Sequence, residues 1–153
     1  MSIEFYSKTT TYHEFSNFSL HGIEMDGQWY PTVEHYYQAM KFPGHEHAKQ
    51  IRLAAKPAIA KQLGSLPSVQ LREDWEEIKI DVMRAAVKKK FTTHPELMQL
   101  LLDTGDEELI EVAPTDYFWG RGESGTGQNW LGKILMDVRA ESRERQNGVA
   151  QNA

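Results

Sequence analysis

Apolar residues recur along this chain mostly at helical spacing, with a few short stretches that read as strands. Residues 3–6 predict a strand, and 23–25 with 28–30 flank Asp26-Gly27, a dipeptide suited to a tight hairpin. Pro31-Thr32 then opens a helix running to Phe42, with the Thr32 hydroxyl as its cap and Pro43-Gly44 as its stop. Two short helices are predicted at 46–55 and 57–63, the second with Pro57 in its first turn and Gly64 at its terminus. The longest helical pattern is 74–91, where Trp75, Ile78, Val82, Met83, Ala86 and Val87 form a stripe at spacings of three and four. A Leu-rich helix at 95–104 ends at Gly105, and 109–112 reads as one more strand. A Gly-rich loop spans 114–129, and a last helix covers 130–144. The strands are too few and scattered for a doubly wound sheet. The expected fold is therefore α+β, a mainly helical single domain with a small β-sheet over residues 1–145. Residues 146–153 read as a disordered polar tail.

The predicted helix at 32–42 carries polar groups where a buried face belongs. At about 100° per residue, Glu34, Gln38 and Lys41 fall on one narrow stripe, flanked by Val33, Tyr36, Tyr37, Met40 and Phe42. If that stripe faces water, the helix is merely amphipathic. If it is buried, a carboxylate, an amide and an amine beside aromatics mark a site, because burying such groups unpaired is expensive.

Composition narrows the chemistry. The 153 residues suffice for one real core, and the absence of cysteine excludes disulfides, thiolate metal sites and cysteine nucleophiles. Of the six histidines only His45 and His47 lie close together, with no zinc-protease spacing, so no metal site is expected. No stretch is apolar enough to span a bilayer and the start lacks secretory features, which predicts a cytoplasmic setting and no membrane partner. A formal charge of −5 argues against a general nucleic-acid binder while leaving room for a small phosphorylated ligand held by local cations. Bases do cluster between Lys49 and Lys61 and at Lys88-Lys89-Lys90, the latter at a helix end where cations complement the dipole.

Two loops rich in aromatic and polar residues could join the Glu34 helix. Phe15-Ser16-Asn17-Phe18 is either an anchored turn or a ligand contact through Asn17. Asp116-Tyr117-Phe118-Trp119 leads into Gly120, Gly122 and Gly125, which spell a dinucleotide fingerprint without the βαβ unit it needs. That loop is either a mobile surface segment or a source of free amides for a phosphate ahead of the last helix. Trp75 reads as core, or as a wall for a flat heterocycle. His35 points off the polar stripe and reads as a packing residue.

In order and spacing, these segments resemble the NADAR (NAD- and ADP-ribose-associated), YbiA-like family over roughly residues 3 to 140. The resemblance rests on Phe15 to Phe18, on Asp26-Gly27 with Trp29 to Phe42, and on Trp75 with Met83 and Lys90-Phe91. Leu101 to Gly105, Tyr117 to Gly120 and Gly127 to Gly132 complete it. It implies an N-glycosidase that cleaves the bond between ribose C1 and an amine nitrogen. Stand-alone bacterial members are associated with phosphoribosylamino-pyrimidine intermediates of riboflavin synthesis, and other members remove ADP-ribose from guanine in DNA. Carried over, the functional carboxylate falls on Glu34 and the functional tryptophans on Trp75 and Trp119, with Lys41, Asp116 and Asn129 as further candidates. Met40 stands where Gln is common, and Gln128 where a basic residue can precede the Asn; the second change weakens an expected phosphate contact.

On this reading Glu34 offsets positive charge at the sugar C1 and can activate water. Lys41 either protonates the leaving nitrogen or attacks C1 to form an imine, and nucleophilic work requires desolvation to outweigh the field of Glu34. Gln38, Asn17, Asn129 and the loop amides including Gly120 and Gly122 would hold sugar and phosphate, and the two tryptophans would stack the heterocycle. No metal or redox cofactor is called for. The partner is a small phosphorylated ribosyl-amine or an ADP-ribosyl substrate, with nucleic acid only as ADP-ribosylated substrate. A non-catalytic NAD or ADP-ribose-binding module is the competing class. The oligomeric state is not legible.

Overall fold

In chain order the elements are β1 (Ser2–Phe5), a 3-10 turn (His13–Phe15), β2 (Ile23–Met25), β3 (Gln28–Tyr30), α1 (Val33–Ala39), α2 (Glu46–Arg52) and α3 (Pro57–Gly64). They continue with α4 (Trp75–Thr93), α5 (Pro95–Asp103), β4 (Glu108–Glu111) and α6 (Trp130–Asn152). This computed structural model describes residues 1–152, with side chains through Gly148. The architecture is α+β and mainly helical, as the periodicity predicts. The strands form two separate two-stranded sheets, not one. Two compact units hold these elements, one made of Met1–Ser16 with His94–Ala153 and the other of Asn17–Thr93. Among the described residues no helix is long and apolar enough to cross a membrane.

In the first unit β1 and β4 pair in parallel, with Ile3 opposite Leu109. The apolar stripe of α6 (Leu131, Ile134, Leu135 and Val138) is buried together with Phe5, Leu101 and Leu109. Arg139 fixes α6 to the turn after α5, donating from Nη1 to Thr104 Oγ1 at 2.9 Å and to the Glu107 carbonyl at 2.8 Å. The helix continues past Glu144 to Asn152 because no proline interrupts it. The stretch expected as a polar tail therefore lies in helix through Asn152, and its last residue is outside the described residues.

In the second unit β2 and β3 form the expected hairpin, with positive φ at Asp26 and Gly27. Helix α1 is the centre of this unit, and every residue from Val33 to Ala39 is buried. A helix buried all round is normally apolar all round, so the polar side chains of α1 are exceptions that call for a reason. Its start follows the capping logic: the Thr32 side chain accepts from the His35 N–H at 3.1 Å. Its end comes earlier than the pattern predicts. The Lys41 N–H bonds to the Gln38 carbonyl and the Phe42 N–H to that of Ala39, so the chain tightens into i→i+3 turns before Pro43. Lys41 thus sits on a turn two residues beyond the end of α1.

Helix α4 runs two residues past Phe91, since nothing breaks it before Pro95. This changes the reading of the Lys88 triplet. Lys88 is exposed, but Lys90 is 1 % exposed, with its Nζ 5.5 Å from the centre of the Phe91 ring.

Candidate active site

Burial decides between the two readings of the polar stripe. Glu34 is 7 % and Gln38 4 % exposed, so the stripe does not face water. Gln38 lies one helical turn after Glu34 and donates from Nε2 to Glu34 Oε1 at 2.7 Å. That bond fixes the amide orientation, because the flipped amide would set one oxygen against another. Gln38 Oε1 is consequently buried without a hydrogen-bond partner. It rests against Gly64 at the end of α3, so close that a Cβ there would come within 1.9 Å of it. Gly64 is the small residue that this approach requires.

The same glycine touches the amine. Lys41 Nζ donates to the Gly64 carbonyl at 3.3 Å. It also lies 5.7 Å from the Tyr37 ring centre and 6.0 Å from that of Trp75, two rings that pack 5.0 Å apart at a tilt of 58°. Burial pushes the Lys41 ammonium below the ordinary lysine range. Glu34 and Glu76 pull the other way, and Lys79 and Lys61 add to the lowering. Desolvation therefore outweighs the Glu34 field, which makes the Lys41 ammonium a readier proton donor than an exposed lysine.

Trp75 is 4 % exposed and serves as a wall packed on Tyr37, closer to the core reading than to an open stacking face. Asn17 supports Glu34 through its backbone, its carbonyl accepting the Glu34 N–H at 3.1 Å. Its side-chain amide turns to the Met83 sulfur at 3.3 Å. His35 is a packing residue, as expected. Its Nε2 donates to the Ala54 carbonyl at 3.0 Å, which leaves Nδ1 to accept from the Thr32 hydroxyl at 2.8 Å, and burial lowers its pKa. Asn17, Glu34, Gln38, Lys41 and Trp75 are thus gathered in the second unit. Sequence reasoning missed Gly64 as part of the cluster. It read there only as a helix terminus, and nothing local announces a close approach by a side chain from another helix.

The remaining candidates belong to the first unit. Asp116 Oδ1 accepts the N–H groups of Phe118 at 3.0 Å and Trp119 at 2.8 Å, an Asx-type turn that sets the aromatic loop. Trp119 is partly exposed and packs edge-on against Phe118 at 4.8 Å. Asn129 spends both ends of its amide on β4, accepting from the Glu111 N–H and donating to the Leu109 carbonyl, each at 2.9 Å. These two bonds tie the start of the last helix to β4.

The loop amides are mostly committed as well. Arg121 bonds to Glu111, Glu123 to Pro114, Gly125 to Gly122, Gly127 to Arg121 and Gln128 to Tyr117. These bonds use the N–H groups of residues around Gly120 and Gly122, so much of the surrounding loop is committed internally. The Gly120 carbonyl accepts the Asn129 N–H, and Gly122 adopts φ 69° against the Tyr117 ring, where a side chain would be strained. Among the described residues no cluster of His, Asp or Glu could hold a metal ion.

A carboxylate held by an amide beside a desolvated amine is the equipment of an enzyme that stabilises positive charge and moves a proton. The NADAR domain model matches residues 4–143. An N-glycosidase of Nostoc punctiforme is 51% identical over 146 residues, covering 94% of both chains. The solution NMR structure of the Escherichia coli protein YbiA superposes with a TM-score of 0.87 at 40% identity, covering 95% of this chain and 89% of that one. A chloroplastic riboflavin biosynthesis protein of Zea mays, PYRR, is 43% identical over 155 residues, which cover 91% of this chain but 25% of that longer protein. The chain belongs to the NADAR family, in its YbiA-like N-glycosidase branch.

Proposed function

We propose that this N-glycosidase hydrolyses the C1–N bond of a phosphoribosylamino-pyrimidine of the kind formed early in riboflavin synthesis. The observation that carries this reading is the buried Glu34 carboxylate beside the desolvated Lys41 amine. The substrate class is supported by the likeness to a relative named for riboflavin biosynthesis, and by a net charge of −5, which favours a small free substrate over a DNA strand.

As the C1–N bond lengthens, positive charge grows on the sugar, and Glu34 offsets it in a water-poor setting where the interaction is strong. Water adds at C1 with Glu34 taking its proton, while Lys41 gives a proton to the departing nitrogen, so the products are ribose 5-phosphate and the free aminopyrimidine. An ammonium with a lowered pKa is the better proton donor at neutral pH. Gln38 keeps the carboxylate aimed, and Tyr37 with Trp75 keeps the amine dry. Trp119 stays with this reading as a heterocycle-stacking candidate through the resemblance alone.

Incubation with phosphoribosylamino-pyrimidines and, in parallel, with DNA carrying ADP-ribosyl-guanine tests the assignment by mass analysis of released products. Release of aminopyrimidine and ribose 5-phosphate supports it. Turnover of the DNA alone replaces the substrate class, and binding without any release would make the protein a reader.

A further inference from the structure

The second unit carries another cleft, which shares no residue with the Glu34–Lys41 cluster. It has a volume of about 410 Å³ and is lined by Gln28, Tyr30, Gly44, His45, Ala48, Lys49 and Arg52. The charged side chains that line it, Lys49 and Arg52, are both cationic. His45, Lys49 and Arg52 are spaced by four and three residues along α2, which puts them on one side of that helix. His45 Nδ1 accepts the His47 N–H at 3.0 Å, which leaves Nε2 of the neutral ring as the N–H donor. The Tyr30 hydroxyl donates to Gln28 Oε1 at 3.3 Å, leaving the Gln28 NH₂ group to donate.

No carboxylate lines the cleft, and among the described residues neither Lys49 nor Arg52 forms an ion pair. Asp26 acts on the Tyr30 phenol from outside the lining, where burial and Asp26 raise its pKa and Arg52 lowers it, so the phenol stays neutral at physiological pH. Cationic donors without a facing carboxylate, in a chain whose net charge is −5, are the arrangement that recognises an anion.

We infer that the cleft formed by Gln28, His45, Lys49 and Arg52 is a second binding site for a phosphate group, borne by a small phosphomonoester or present as inorganic phosphate. A guanidinium fork, an ammonium and two neutral N–H donors match a tetrahedral dianion, which accepts from several directions at once. The volume is at the small end for ligand pockets, which suits a phosphate with a short organic group. The site also gives a role to Lys49 and Arg52, two bases that the hydrolytic reaction leaves unused.

The test is a residue-resolved NMR titration of the intact protein with inorganic phosphate, against sodium chloride at matched ionic strength. Saturable shifts at Gln28, His45, Ala48 and the side chains of Lys49 and Arg52, absent with chloride, support the site. The double variant Lys49→Gln/Arg52→Gln should weaken that binding about tenfold or more, with unchanged thermal unfolding and N-glycosidase turnover. Because α2 exposes both side chains to the cleft, Arg52→Lys serves as a milder second variant and should weaken binding less. Shifts that never saturate, that chloride reproduces, or that survive in the double variant overturn the proposal.

Discussion

Gln38 donates to Glu34 Oε1 at 2.7 Å across one turn of a buried helix, and its own oxygen is pressed against Gly64. The position of the carboxylate thus depends on a residue of another helix having no side chain. Gly64→Ala would ordinarily gain helix propensity. Here the added methyl has no room, so a loss of about 1–3 kcal/mol is expected, together with a fall in kcat. Thermal unfolding and steady-state kinetics check both, and a variant more stable than the parent at full activity would refute the contact.

Glu34→Gln keeps the volume and leaves an oxygen to accept from Gln38. The fold should survive, with kcat lowered by about 10²-fold or more, the scale seen when a preorganised electrostatic group is removed. Unchanged far-ultraviolet circular dichroism alongside lost product release is the expected result. Turnover at the parental rate would remove Glu34 from the mechanism.

Lys41 is held below the ordinary lysine range by burial first, against the pull of Glu34. As the proton donor it must be charged, so activity should decline as pH rises through that lowered value, earlier than an exposed lysine would permit. Lys41→Arg keeps the charge but surrenders the proton poorly, and should lower kcat while moving the alkaline limb upward. Borohydride trapping separates this role from covalent catalysis. A trapped adduct at Lys41, or a rate that rises across the same range, would assign the amine as nucleophile.

Most of the helices and the hairpin were legible because their signals are local: Thr32 capping α1, Asp26-Gly27 in the turn, Pro57 and Pro95 in first turns. Helix ends were less so. The chain tightens into i→i+3 turns after Ala39, and α6 simply continues where composition suggests fraying. For the site, spacing placed Glu34 and Gln38 on one stripe, but only burial distinguished a site from a wet face. Spacing could not reveal that the glycine loop consumes its own amides, since such bonds join residues whose partners are set by a folded turn.

His35 gives a stability test. Burial lowers its pKa, and the Thr32 hydroxyl bonds to Nδ1, an acceptor only while the ring is neutral. With the folded value below the unfolded one of about 6.5, the unfolded chain takes up the proton first. Stability should be intact above that pH and decline as pH falls through the interval down to the lowered value, then level off. His35→Gln should flatten this acid slope in denaturant titrations. An unchanged slope would show that other groups set it.

Asn129 separates bracing from ligand contact. Its amide satisfies two backbone groups of β4, so Asn129→Ala should cost about 2 kcal/mol and lower the unfolding temperature. A variant with parental stability and only a raised KM would instead make the amide a substrate contact.

The enclosure of α1 has an evolutionary corollary. Glu34 and Gln38 lie where an apolar side chain of similar volume often serves an interior as well or better, so stability alone does not preserve them. Selecting descendants for heat tolerance alone would favour greasy replacements at Glu34 and Gln38. The fold would then outlive its chemistry, leaving a sturdier and silent protein.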